Sequence, residues 1–390
     1  MATMDWEKEL AEIVPHIIEV RHDLHRHPEL SGQEVRTKQR VIEELTALGN
    51  IEIHEFDGSN AVMGVLKNGE GRCIAIRADM DALPVKEETG LPFASENDGV
   101  MHACGHDVHV AFALGSASWF SRNLDKWQGT IKWLFEPQEE TIGGGKLMTE
   151  QGCMKNPTVD CVIGQHVNPS YETGMFFCKS GFVSGSSDEV VLTVRGTNCH
   201  GAYPERGVDA ILISAQIITA LQSLVSRTIS PFDPAVLTIG TIKGGTANNI
   251  VCGEVHMRGT MRTLSDATRQ KLKREIHSVV EGVAQSMGGS AEVQLNPGYG
   301  AVYNHDGYYA KIEDCAREIL GEDKIVIRSA PSLGVESFCY FVSETPGVYY
   351  DIGTGVSTAL HTSTFLVDEN VFVPGIAMQC ASVLALLEES

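Results

Sequence analysis

The sequence predicts an α/β protein, a central mostly parallel sheet covered by helices, with a smaller α+β domain inserted into it. Three observations carry this reading. Short apolar runs alternate with helical stretches in the first part of the chain. The order then changes to strand–helix–strand–strand–helix–strand over 185–297. At roughly 150 residues per domain, 390 residues make two or three domains.

The elements follow in order. Residues 5–27 carry the apolar spacing of an amphipathic helix that ends before Pro28, and 34–48 form a second helix stopped by Gly49. The runs 73–76, 130–135 and 161–163 are short and continuously apolar, as strands buried on both faces are. A helix over 108–123 lies between two of them, and parallel strands require such crossovers. In the middle, 190–195 reads as a strand, 196–198 as a turn, and 208–227 as a long helix after Pro204 and Gly207. Strands over 235–242 and 253–263, a helix over about 267–287 and a last strand over 291–295 complete the insert. One domain is therefore expected at 1–184 plus 298–390 and the inserted one at 185–297, with the chain returning near 297–303.

Thirty basic against fifty-one acidic residues give a net charge of −21, which argues against a nucleic acid or an anionic membrane as partner. The start, MATMDWEKELAEIV, lacks the basic and apolar regions of a signal peptide, and no continuous run of 18 apolar residues occurs. Ten cysteines are scattered singly without a CxxC pair, so reduced thiols and a cytoplasmic location are expected.

The segment His102-Ala103-Cys104-Gly105-His106-Asp107-Val108-His109 precedes an apolar helix pattern. A thiolate and an imidazole two residues apart on a turn can aim at one point, and both suit borderline divalent metals. The plainer alternative is a buried free cysteine beside surface histidines. Glu139 and Glu140 follow an apolar strand, where one could bind metal and its neighbour act as general base, or both could be solvated loop residues. His166 and His361 also follow strand-like runs and are ambiguous singly. Their convergence within one α/β domain favours a metal centre.

With these residues together, the chain resembles the aminoacylase/carboxypeptidase superfamily of dinuclear metallopeptidases. Within it, the resemblance is to the branch of N-acyl-amino-acid amidohydrolases, hippurate hydrolases and plant auxin-conjugate hydrolases. It runs from about Arg21 to the C-terminus. Its markers are the runs Arg21–Glu29, Arg77–Pro84 and His102–Asp107, then Glu139-Glu140, His200–Pro204, and Leu360-His361 with Val367-Asp368-Glu369.

The resemblance implies two divalent ions, of zinc, manganese or cobalt, held by Cys104, His106, Glu140, His166 and His361. Cys104 would bridge them where the wider superfamily has an aspartate. It implies Glu139 as general base and Asp81 as a support behind a ligand, in preference to a turn aspartate before Leu83-Pro84. His102 and Asp107 would have similar supporting places. The insert would be a ferredoxin-like lid or dimerisation domain of a homodimer or higher homo-oligomer. On it, His200 would stabilise the oxyanion, Asn248 would hold substrate and Arg262 would grip a carboxylate. For Arg262, a solvated strand arginine is the alternative.

The chain departs from the family pattern at Gln138, at Thr362-Ser363, at Thr364 and at Ser337, none of them a ligand. The implied reaction is hydrolysis of the amide bond of an N-acyl amino acid, with Glu139 taking the proton of a water held at the ions. The rivals are a dipeptidase or carboxypeptidase acting on small peptides, a catalytically silent metal-binding protein, and a cysteine hydrolase with Cys104 as nucleophile.

Overall fold

Every residue of the strand Cys73–Asp79 is buried, and it runs parallel to two neighbours, Gly129–Glu136 and Cys161–Asn168. The latter pairs in parallel with Gly347–Gly353. Val62–Asn68 continues the sheet antiparallel to Gly129–Glu136, and Glu52–Glu55 follows it as the antiparallel edge strand. These strands form the mostly parallel centre of the first of two compact units in this computed structural model, which describes residues 4–388. The outermost ends of the expected segments 1–184 and 298–390, residues 1–3 and 389–390, lie outside the described residues.

The crossover between Cys73–Asp79 and Gly129–Glu136 is the helix His106–Arg122, buried from His106 to Ser121. It packs on the helix Phe372–Leu387 through two close contacts. A Cβ on Gly115 would meet Ile376 Cδ1 at 2.5 Å, and one on Gly375 would meet Phe112 Cζ at 2.5 Å. Each glycine is thus the hole for the other helix's knob. The expected single helix over 5–27 is two, Trp6–Leu10 and Val14–Arg26. Pro15 explains the break, since proline fits only the first turn of a helix.

The second unit is Ser184–Val302 with Pro331–Glu336. Its sheet is antiparallel in the order Ala235–Gly244, Glu254–Thr263, Ser186–Arg195, Ser290–Pro297. Ser186–Arg195 alternates buried and part-buried residues as far as Val194 and ends on the exposed Arg195. Its Val190, Leu192 and Val194 pack with Ile213 and Ile217 of the helix Ala210–Ser223 and with Leu272 and Ile276 of Asp266–Ser286. Asp209 and Ser265 cap these helices by accepting backbone N–H bonds. Beyond Pro297 the unit is held by Ser187 N–H donating to Tyr299 O at 2.8 Å and Gly298 N–H donating to Ser187 O at 3.0 Å, and the chain leaves it after Val302. It gains 331–336 through Gly185 N–H donating to Gly334 O at 3.1 Å.

Two helical stretches among the described residues, Ala210–Thr228 and Glu369–Leu387, are long and apolar enough to cross a membrane by length and composition. Counting continuous apolar runs passes over both, because polar residues interrupt them. Two-thirds of the second is buried inside the protein, as in a core helix.

Candidate metal centre

Cys104, Gly105 and His106 form the turn into His106–Arg122. Gly105 has φ +83°, and a Cβ there would meet Val167 Cγ2 at 2.4 Å, so glycine alone allows this close turn. Glu139 and Glu140 follow the end of Gly129–Glu136, after Gln138 in the left-handed region at φ 62°. His166 lies inside the strand Cys161–Asn168, opposite Asp351, rather than after a strand ending at 163. His361 sits on a loop, also left-handed at φ 65°, and its N–H donates to Ala103 O at 2.8 Å. That bond holds His361 next to Cys104.

Donor atoms of Cys104, His106 and His166 lie within 4.8 Å of one another, as do those of Cys104, Glu140 and His361. Cys104 is common to both groups. Its Sγ is 3.6 Å from His166 Nε2 and 3.3 Å from His361 Nε2, which in turn is 3.2 Å from Glu140 Oε1. Among the described residues, both ring nitrogens of His106 and Oε1 of Glu140 are buried without a well-formed hydrogen bond. Converging orphaned donor atoms of this kind are costly unless a cation satisfies them. Sulfur, nitrogen and carboxylate oxygen together suit a borderline divalent ion. Burial pushes the Cys104 thiol far up, so a thiolate there needs adjacent positive charge. The residues therefore fit a metal pair.

The surroundings fix the orientation of these groups. His166 Nδ1 donates to Val167 O at 2.7 Å, which turns Nε2 toward Cys104. Asp81 Oδ1 lies 3.3 Å from His106 Nδ1. The same carboxylate accepts the backbone N–H groups of Glu139 at 3.1 Å and Glu140 at 3.0 Å and the Ser31 hydroxyl at 2.5 Å. Burial opposes the charge on Asp81, but His106 and Ser31 outweigh it and hold the carboxyl below its usual range. Glu140 is likewise held low, with His361 and His106 outweighing burial. Glu139 Oε1 accepts the Ser337 N–H at 3.2 Å.

Sequence reasoning missed the role of Arg77 and Asp79. Arg77 spreads its guanidinium over Glu136 at 2.6 Å, Asp79 at 2.6 Å and the Ser337 hydroxyl at 2.7 Å. Asp79 Oδ1 is 2.5 Å from His109 Nδ1, and His109 Nε2 accepts the Val167 N–H at 3.0 Å. Asp79, His106 and His109 also bring donor atoms within 4.8 Å. His109, however, has both nitrogens engaged, and burial pushes it down to about 4, so it braces the centre as a neutral ring. The available signal was a pair of charges at the carboxyl end of an otherwise apolar strand.

Asp107 stands differently from the expectation. Asp107 accepts from Arg21 Nε at 2.8 Å and lies 2.8 Å from His25 Nδ1, so it ties helix Val14–Arg26 to His106–Arg122 rather than orienting a ligand imidazole. His102 is buried with both nitrogens lacking a hydrogen bond among the described residues, and burial pushes it down to about 4.

His200, Asn248 and Arg262 all lie on the second unit, whereas the five donors and Glu139 lie on the first. His200 is exposed in a short strand, opposite Ile250, and its Nδ1 accepts the Ala202 N–H at 3.1 Å. Asn248 is exposed in the loop just before Ile250. Arg262 is part-buried in Glu254–Thr263, and its Nη1 lacks a hydrogen bond among the described residues.

The sequence model of the family described as Peptidase family M20/M25/M40 matches residues 75–385. The N-acyl-L-amino acid amidohydrolase of Geobacillus stearothermophilus is 40% identical over 296 residues, covering 76% of this chain and 80% of its own. Thermostable carboxypeptidase 2 of Saccharolobus solfataricus is 38% identical over 379 residues, 95% of each chain. A solved structure of a dinuclear metal-binding peptidase of the M20 family from Bacillus subtilis is similar at TM-score 0.84 and 31% identity, covering 97% of this chain and 99% of that one.

Proposed function

The chain belongs to peptidase family M20/M25/M40, a hydrolase of amide bonds, and from that premise we propose that it cleaves N-acyl amino acids at a two-metal centre. One observation carries the reading: Cys104 is the shared member of two donor groups, with Glu139 beside them. Cys104, His106 and His166 would hold one ion, and Cys104, Glu140 and His361 the other. The ions would make water acidic and polarise the scissile carbonyl. Glu139 takes the proton from the attacking water and passes it to the leaving nitrogen. Its placement is supported by the Ser337 N–H on one carboxylate oxygen. His200 donates to the developing oxyanion, Asn248 holds the substrate amide, and Arg262 forms a forked pair with the carboxylate.

Zinc, manganese and cobalt all suit this donor set. Cytoplasmic residence fits the ten unpaired cysteines. A homodimer fits the second unit, which exposes Ile211 and Leu212 on one helix and Ile242 on the edge strand Ala235–Gly244. Carboxypeptidase action is the second reading, favoured by the relative of that name. Elemental analysis, joined to a panel of N-acetyl amino acids, N-benzoyl amino acids and dipeptides with added Mn²⁺ or Zn²⁺, separates the two. Release of amino acid from the N-acyl compounds alone supports the first; cleavage confined to peptides overturns it.

A further inference from the structure

Glu34 belongs to no part of the centre described so far, yet it is fully buried. It precedes the helix Val35–Leu48. Its Oε1 accepts the Gly32 N–H at 2.8 Å and the Gln138 N–H at 2.9 Å, and its Oε2 accepts from Asn60 Nδ2 at 3.1 Å. Burial pushes its carboxyl up from the usual range, against the pull of the Gly32 and Asn60 donors, which favour the charged form. Asp81 takes the next two N–H groups, those of Glu139 and Glu140. Three consecutive amides of one corner therefore end on two buried carboxyl groups. The first of the three belongs to Gln138, in a left-handed conformation that a non-glycine residue keeps only when its surroundings enforce it. The Gln138 side chain also lies close over Gly32: a Cβ there would meet Gln138 Nε2 at 2.9 Å. Ser31, three residues before Glu34, closes the frame through its bond to Asp81.

We infer that Glu34 is a positioning residue, holding the Gln138 corner so that Glu139 and Glu140 face the metal centre. It touches neither substrate nor metal; it acts through the Gln138 amide. The inference rests on the roles proposed above for Glu139 and Glu140. A corner released at its first amide would shift both carboxylates together. Ångström-scale displacement of catalytic groups costs on the order of a hundredfold in rate, and loss of a ligand's support costs about ten- to a hundredfold in metal affinity.

The test compares Glu34→Ala, Glu34→Gln, Asn60→Asp and Glu139→Gln in the full-length enzyme. The readouts are kcat, KM, melting temperature and Mn²⁺ affinity by calorimetry. Glu34→Ala should lower kcat by roughly ten- to a hundredfold and weaken Mn²⁺ binding by about tenfold, with KM within about threefold. Glu34→Gln keeps an oxygen able to accept both N–H groups and should restore kcat to within about threefold of wild type. A purely structural role would lower the melting temperature and leave kcat and Mn²⁺ affinity of the folded fraction unchanged, which overturns the inference. So does a Glu34→Gln kcat as low as that of Glu34→Ala. If Glu34→Ala does not fold, Asn60→Asp, which sets a like charge against Oε2, carries the same expectation of a lowered kcat, and an unchanged kcat rejects the inference. Glu139→Gln separates the two levels. If it stays active, the general-base reading fails; if it is inactive while Glu34→Ala is normal, only the role of Glu34 fails.

Discussion

Cys104 offers one sulfur to two donor groups, so its loss should empty both. Cys104→Ser is expected to lose most bound metal and at least about a thousandfold in activity, while Cys104→Asp, a carboxylate able to bridge, should retain more of each. Elemental analysis of the purified variants checks this; a Cys104→Ser protein with wild-type metal content would rule out the bridge. Chelation should abolish activity and added Mn²⁺ or Zn²⁺ restore it, whereas a cysteine nucleophile would survive chelation. Glu139→Gln should lose turnover with metal content intact, and normal hydrolysis would assign the base elsewhere. The donors were legible in the sequence because thiol, imidazole and carboxylate stand out beside apolar strands. Glu34 was not, because its meaning lies in a bond to an amide at Gln138, far along the chain, and backbone donors leave no mark in a sequence.

At the scale of elements, Asp23 on helix Val14–Arg26 joins Arg36 at 2.7 Å and Arg40 at 3.3 Å on helix Val35–Leu48. Burial opposes its charge, but the two arginines outweigh it and hold its carboxyl below the usual range. A depressed folded pKa means the stabilisation is complete above about pH 4, where the unfolded carboxyl ionises, and is lost as pH falls through the folded value. Asp23→Asn should therefore cost about 0.5–1 kcal/mol near pH 7, with the difference from wild type closing toward about pH 2. Urea unfolding at both pH values tests it, and a gap that stays constant would exclude the ion pairs as its source. The amphipathic period announced the helices themselves. It ran across the break after Leu10, because an apolar stripe continues through a turn that only Pro15 betrays.

For the molecule as a whole, the net charge of −21 sets the field that an incoming substrate meets. An N-acyl amino acid is an anion and is repelled at long range, so its kcat/KM should rise several-fold as salt increases toward about 0.15 M. A zwitterionic dipeptide should respond little. A salt-independent kcat/KM for the anion would mean that local charge at the site overrides the global field. The order of the elements let the sequence divide the chain into two parts. It left the chain's return spread over 297–303, because the bonds of Ser187 to Gly298 and Tyr299 belong to backbone beyond any side-chain pattern. The His361 side chain is 53% exposed, whereas that of His106 is 1% exposed. Two ions held as proposed would thus exchange with the medium at different speeds, the one beside His361 first. Brief chelation should yield a species holding a single ion, and an enzyme diluted into metal-poor surroundings would fade in two stages, half-loaded before it is empty.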